Sequence, residues 1–225
     1  MREDPRAKGN RPGPSLPLLA AGAAVLCLLL GAAGARAPKG YPSCLTGLAV
    51  PRGDLPGLPN FARVSDGLYR GAQPTREGFE GLRAMGVRTV INLRDHHSDA
   101  PLLADLDIRY VEIPCDAWRM DDAPVVLFLK LATDTACQPV FVHCQHGSDR
   151  TGVMVAAYRV VVQNWDPALA EAELPNFGFH PVFLSLRRYV AGLDRARLRA
   201  QVRDMPDPMI PAGPQLAQPG PGGLQ

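Results

Sequence analysis

Val140-Phe141-Val142-His143-Cys144-Gln145-His146-Gly147-Ser148-Asp149-Arg150-Thr151-Gly152 reads as a short strand, a tight loop and the first turn of a helix. Pro139 to Val142 is an apolar run of strand type. Gly152 to Val162 is almost wholly apolar and long enough for a buried helix. Between them stand a cysteine and an arginine separated by five residues. A loop wrapped over a helix N-terminus gathers main-chain N–H groups into one small space, which suits a tetrahedral anion. The positive end of the helix favours the thiolate of Cys144. Arg150 offers a planar fork that can grip two phosphate oxygens. Gly147 relieves crowding where the backbone turns sharply. Thr151, beside the arginine, is positioned to donate its hydroxyl to the sulfur. A thiolate in line with a bound phosphorus is a nucleophile ready to form a phosphocysteine.

The segment from His143 to Gly152 resembles the signature loop of the cysteine-dependent protein tyrosine and dual-specificity phosphatases. Asn60-Phe61-Ala62-Arg63-Val64-Ser65, Leu68-Tyr69-Arg70-Gly71-Ala72-Gln73-Pro74 and Val90-Ile91-Asn92-Leu93-Arg94 resemble a compact bacterial branch of that superfamily. That branch is similar to fungal phosphatases acting on inositol pyrophosphates. The resemblance covers roughly residues 58–200. It implies Cys144 as nucleophile, Arg150 and Thr151 as its partners, and Gln145, His146, Gly147, Ser148 and Asp149 around the substrate phosphate. It also implies an aspartate that protonates the leaving group, on the loop after the strand preceding the catalytic one. Asp116 follows such a strand directly, and Trp118 is close enough to shield it from water. Asp121 and Asp122 are the alternatives, although both precede a helix and suit its cap.

The chain has 225 residues, 46% of them hydrophobic, enough for one domain with a real core. Beyond residue 35 it holds 20 basic and 20 acidic side chains, which speaks against a nucleic-acid binder. Residues 1–15 are basic, with Arg2, Arg6, Lys8 and Arg11 ahead of an apolar stretch from Leu16 to Gly34. Residues 16–37 are expected to be a signal peptide or a membrane anchor, with the domain exported to the periplasm or another extracytoplasmic space. In such a compartment Cys44, Cys115 and Cys137 are open to pairing, and Cys144 is expected to stay free.

Residues 38–57 are rich in Pro and Gly and read as a linker; 58–204 as the catalytic domain; 205–225 as a disordered tail. Strands are expected at Leu68–Gly71, Val87–Leu93, Ile108–Ile113 and Pro139–His143. Thr75 opens a helix with Phe79, Leu82 and Met85 on its inner face. Asp122 begins another that runs to Thr133, and Asp166-Pro167 a third. A longer one starts at Pro181, with Phe183, Leu186, Val190 and Leu193 along one side. The pattern is α/β: one mostly parallel sheet of four to five strands with helices on both faces, its ligand beyond the strand ends where Cys144 lies.

The expected activity is metal-independent and needs no cofactor. Its substrates are phosphomonoesters: phosphotyrosine protein, with phosphoserine, phosphothreonine, inositol phosphates and phosphoinositides as alternatives. A chain this short lacks room for pocket-deepening elements, so a shallow site is expected. Arg94 is a candidate for the substrate entrance. His96, His97 and Asp99 lie on one loop without a fourth ligand, a weak metal signal. A pseudophosphatase that binds phosphate without turnover is the main alternative. A thiol redox protein is disfavoured, since there is no Cys-x-x-Cys.

Overall fold

A computed structural model describes residues 47–208. The segment expected to be a leader, Cys44 and the last part of the tail lie outside the described residues. Among the described residues no helix is long and apolar enough to cross a membrane.

Five strands form the sheet: β1 (Ala62–Ser65), β2 (Leu68–Gly71), β3 (Thr89–Asn92), β4 (Arg109–Glu112) and β5 (Val140–His143). Their spatial order is β1-β2-β5-β3-β4. β1 runs antiparallel to β2, and all other pairs are parallel. β5 is central, and every one of its residues is buried. Its side chains alternate between two cores, as the strand period of two requires. Phe141 packs with Phe61, Phe79, Leu82 and Val90 beneath α1 (Arg76–Ala84) and α2 (Ala100–Leu103). Val140 and Val142 face the larger core under α3 (Asp122–Thr133), α4 (Asp149–Val161), α5 (Pro167–Glu173), α6 (Leu184–Ala191) and α7 (Arg195–Asp204).

α4 is the helix that carries the loop, and all but one of its residues are buried. Its C-terminal carbonyls are covered by cations. Arg195 donates to Val160 O at 2.7 Å, and Arg199 to Val161 O at 2.8 Å. Positive charge there complements the negative end of the helix dipole.

Several expectations change. β1 and α2 were not foreseen: each is four residues long, too short for a period to show. The helix expected from Pro181 is two helices. Gly192 ends α6, and Asp194 caps α7 by accepting from Arg197 N–H. Met85 lies at the end of α1 and is exposed, not inward. Thr75 does cap α1, and Asp166 caps α5. The second half of the expected linker is packed onto the domain. Ala49 is buried with its N–H on Glu173 Oε1 at 2.7 Å, and Thr75 N–H donates to Gly57 O. Beyond α7 the chain still touches the domain, through an Asp207–Lys130 pair at 2.8 Å.

Candidate active site

The loop that leaves β5 has its carbonyls turned outward. Gln145 O accepts from Gln73 N–H at 3.2 Å, and Ser148 O from Gly152 N–H at 3.0 Å. His146 O accepts from Asn60 Nδ2 at 2.9 Å, and Gly147 O from Arg70 Nη2 at 2.7 Å. Among the described residues no acceptor takes the main-chain N–H groups of residues 145–148. A loop whose acceptors are tied to the scaffold and whose donors are left over is built for an anion.

Gly147 makes this turn possible. Its φ is +70°, and a Cβ there would lie 2.5 Å from the carbonyl carbon and oxygen of Gly71. Both obstacles are backbone, so no side chain can swing aside. Gly147→Ala is therefore expected to destabilise the domain by about 2 kcal/mol and to cut turnover roughly 100-fold through loop displacement. Denaturant unfolding and steady-state kinetics would measure the two effects; an alanine variant equal to wild type in both would contradict this packing.

Cys144 lies on the floor of a pocket of about 400 Å³, only 2% exposed. Arg150, half-buried in the first turn of α4, sits in the same pocket. Its Nη1 reaches Leu93 O at 3.3 Å and Cys115 O at 3.5 Å, which fixes one edge of the fork. The walls are Ala117, Trp118, Val182, Phe183, His146 and His180. Trp118 and Phe183 meet edge-on with centroids 4.8 Å apart, and Ser185 Oγ donates to Trp118 O. Two separate loops are thereby clipped into one apolar wall.

The other expected site residues divide. Gln145 and His146 are exposed at the rim. Ser148 turns away, its hydroxyl donating to Phe177 O at 2.7 Å. Asp149 lines the pocket but is tied to His180, through N–H at 2.8 Å and Nδ1 at 2.9 Å. The Thr151 hydroxyl is buried with no protein hydrogen-bond partner, so the expected bond to the sulfur is not made in this state. Asp116 is exposed, its Oδ1 accepting from Trp118 N–H at 2.7 Å. Trp118 leans on Phe183 and does not bury Asp116, since edge contact with another ring covers more apolar surface than a carboxylate would. Asp122 is committed elsewhere, to Tyr189 OH at 2.9 Å and to Arg197. Asp121 sits at the N-terminus of α3 beside Arg119.

Arg94 is not among the pocket walls; its Nη1 donates to Gln73 Oε1 at 2.8 Å. The His96, His97 and Asp99 loop does not gather into one centre. His96 is exposed beside Asp95, while Asp99 is fully buried and His97 Nε2 stands 3.1 Å from its Oδ1. Among the described residues no cluster of His, Cys, Asp and Glu has the makings of a metal site. Asp99 instead anchors the loop. Gln73 Nε2 donates to its Oδ1 at 2.6 Å, and His143 Nε2 lies 3.0 Å from Oδ2. Burial pushes the Asp99 carboxyl up, but His143, Gln73 and His97 outweigh it and hold it below the usual range.

Three free thiols lie among the described residues: Cys115, Cys137 and Cys144. Burial pushes the Cys115 thiol up to about 12, against the pull of Arg150. Sequence reasoning assigned no role to the loop's anchors: Asn60 and Arg70 stood only within the blocks that resemble the bacterial branch, and Asp99 only within the weak metal signal.

Fold and loop define a class: an α/β protein whose strand-end cysteine lies under a loop with its main-chain amides left over. The model of the family described as DSP-PTPase phosphatase fused to NAD+ kinase matches residues 56–182, more than half of the chain. The dual specificity protein phosphatase TpbA of Pseudomonas aeruginosa is 38% identical over 144 residues, which is 62% of this chain and 65% of that protein. An inositol diphosphatase of Arabidopsis thaliana is 30% identical over 115 residues, 48% of this chain and 56% of that one. The chain thus spans just under two thirds of the first relative and little over half of the second. A crystal structure of P. aeruginosa TpbA in complex with pTyr superposes with a TM-score of 0.58 at 33% identity, covering 65% of this chain and 91% of that one. This chain belongs to the DSP-PTPase family, within the cysteine-dependent tyrosine and dual-specificity phosphatase superfamily.

Proposed function

We propose that the chain hydrolyses phosphate monoesters through a phosphocysteine on Cys144. The observation that carries this is the loop itself, with carbonyls bound outward, amides left over and a sulfur at its centre. The sulfur attacks phosphorus and the bond to the leaving oxygen breaks. Arg150 and the loop amides stabilise the equatorial oxygens as charge shifts. A carboxylic acid delivers a proton to the leaving oxygen, and as carboxylate it then takes one from the water that hydrolyses the phosphocysteine. Gln145 through Asp149 frame the phosphate.

Asp116 is our choice for that acid. It belongs to the same short loop as Ala117 and Trp118, which form pocket wall, whereas Asp122 is held by Arg197 and Tyr189. Asp116→Asn is expected to lower turnover roughly 100-fold for an alkyl or phenyl phosphate, whose leaving group needs the proton. For an activated nitroaryl phosphate the loss should be small. Equal losses on both would remove Asp116 from the role.

Phosphotyrosine in protein is the substrate we favour. Trp118, Phe183 and Val182 offer apolar surface to a ring beside the anion loop, and the similar TpbA structure carries pTyr. Inositol phosphates are the second reading, supported by the likeness to plant inositol diphosphatases. Against it, Arg150 is the only arginine or lysine among the described residues that line the pocket, while a polyphosphate would present several further charges. A panel of phosphopeptides and inositol phosphates, compared by kcat/KM, distinguishes the two. We further propose export, with residues 16–34 as signal or anchor, on the strength of the basic residues ahead of that apolar stretch.

A further inference from the structure

Arg70 takes no part in the chemistry above, yet it is among the largest fully enclosed side chains in the domain, at 1% exposure. It stands on β2 opposite Val142 of β5, one position before the strand pair Gly71 and His143. Its Nη2 donates to Gly147 O at 2.7 Å, and its guanidinium lies 3.5 Å from the centre of the Phe177 ring. Its Nε has no protein partner. Burial pulls its pKa down to about 10, with Glu173 resisting this and Arg159 as a cation that adds to it.

The neighbouring charges do not balance. Glu173 is already held by Arg159, which reaches its two oxygens at 2.7 and 3.2 Å, and by Ala49 N–H at 2.7 Å. Two buried guanidinium groups share one carboxylate. A buried cation in excess is expensive unless an anion lies close by. Through Gly147 O, Arg70 holds the same loop that carries Cys144 and would carry any bound phosphate.

We propose that Arg70 is a positioning residue of the anion loop, turning the Gly147 carbonyl away from the bound anion and stabilising the Cys144 thiolate and its phosphate from behind. The proposal rests on the hydrolase reading above, but its main readouts concern the resting thiol and phosphate binding, neither of which requires turnover.

The test uses the full chain with Arg70→Met, which removes the charge and the donor, Arg70→Gln, which keeps a donor, and Arg70→Lys, which keeps the charge. Alkylation of Cys144 by iodoacetamide is followed against pH by peptide mass spectrometry, which separates it from Cys115 and Cys137. Binding of inorganic phosphate is measured by calorimetry, and kcat and KM on an aryl phosphate. In Arg70→Met and Arg70→Gln the alkylation midpoint should rise by about one pH unit, and phosphate should bind roughly 10-fold more weakly. In Arg70→Lys the midpoint should stay near wild type while kcat falls, because the fork that holds Gly147 is gone. Where Arg70→Met fails to fold, Arg70→Gln is read in the same way. An alkylation profile and phosphate affinity unchanged in the neutral variants, whatever happens to kcat, overturn the proposal and leave Arg70 a packing residue. A midpoint that rises as far in Arg70→Lys as in Arg70→Gln overturns the charge argument. A wild-type chain that never turns over phosphate esters, with the variants still showing these shifts against it, overturns the hydrolase reading and leaves the role of Arg70 standing.

Discussion

Cys144→Ser should keep its fold and still bind inorganic phosphate, but lose turnover by roughly 1,000-fold or more. A serine hydroxyl holds its proton far more firmly than a thiol, so the nucleophile is lost while the loop remains. The small change in volume leaves the surrounding core intact, since Cys144 sits at the boundary between core and pocket. Cys115 cannot take over, because burial keeps its sulfur protonated, with a pKa near 12. Steady-state turnover of an aryl phosphate, with phosphate binding measured in parallel, checks both halves. A serine variant that retains turnover would remove Cys144 from the chemistry; one that also loses phosphate binding would show that the sulfur chiefly supports the loop.

Arg150→Lys carries the second large effect. The charge is kept, but a lysine is a point donor and cannot meet two phosphate oxygens in one plane. We expect kcat to fall roughly 100- to 1,000-fold, with little change in unfolding free energy. The side chain is only half-buried, and its contacts to Leu93 O and Cys115 O are long. A lysine variant within a few-fold of wild type would show that general positive charge suffices and that the fork is not used.

The catalytic loop is local in sequence. A strand, a sharp turn and a buried helix are adjacent in sequence, and each leaves its own pattern, so β5, Cys144, Arg150 and α4 were legible together. The alternation of Val140, Phe141, Val142 and His143 between two cores follows from strand geometry alone. The anchors were not legible. Arg70 meets Gly147 across 77 positions and Asn60 meets His146 across 86. Such contacts depend on which strands become neighbours, and no local spacing encodes that. Asp99 was read with His96 and His97 as a weak metal signal; its partner His143 arrives from another strand. The acid was hard for a similar reason. Three aspartates lie within seven residues, from the loop after β4 to the first residue of α3, and what separates Asp122 from Asp116 is Arg197 of α7, far along the chain. The apolar spacing sets Phe183 along one side of the helix from Pro181. Phe183 precedes α6 and forms pocket wall, because the helix begins at Leu184, three residues after the expected start at Pro181.

The proposed hydrolysis passes through a covalent bond between phosphorus and the Cys144 sulfur. Mixing the chain with excess aryl phosphate, quenching in acid within milliseconds and analysing the peptides by mass spectrometry tests it directly. The expected result is a phosphoryl group on the Cys144 peptide that appears before steady state and is absent from Cys144→Ser. Rapid turnover with that peptide unmodified at every time point would mean that water attacks the ester directly, and the phosphocysteine mechanism would be wrong.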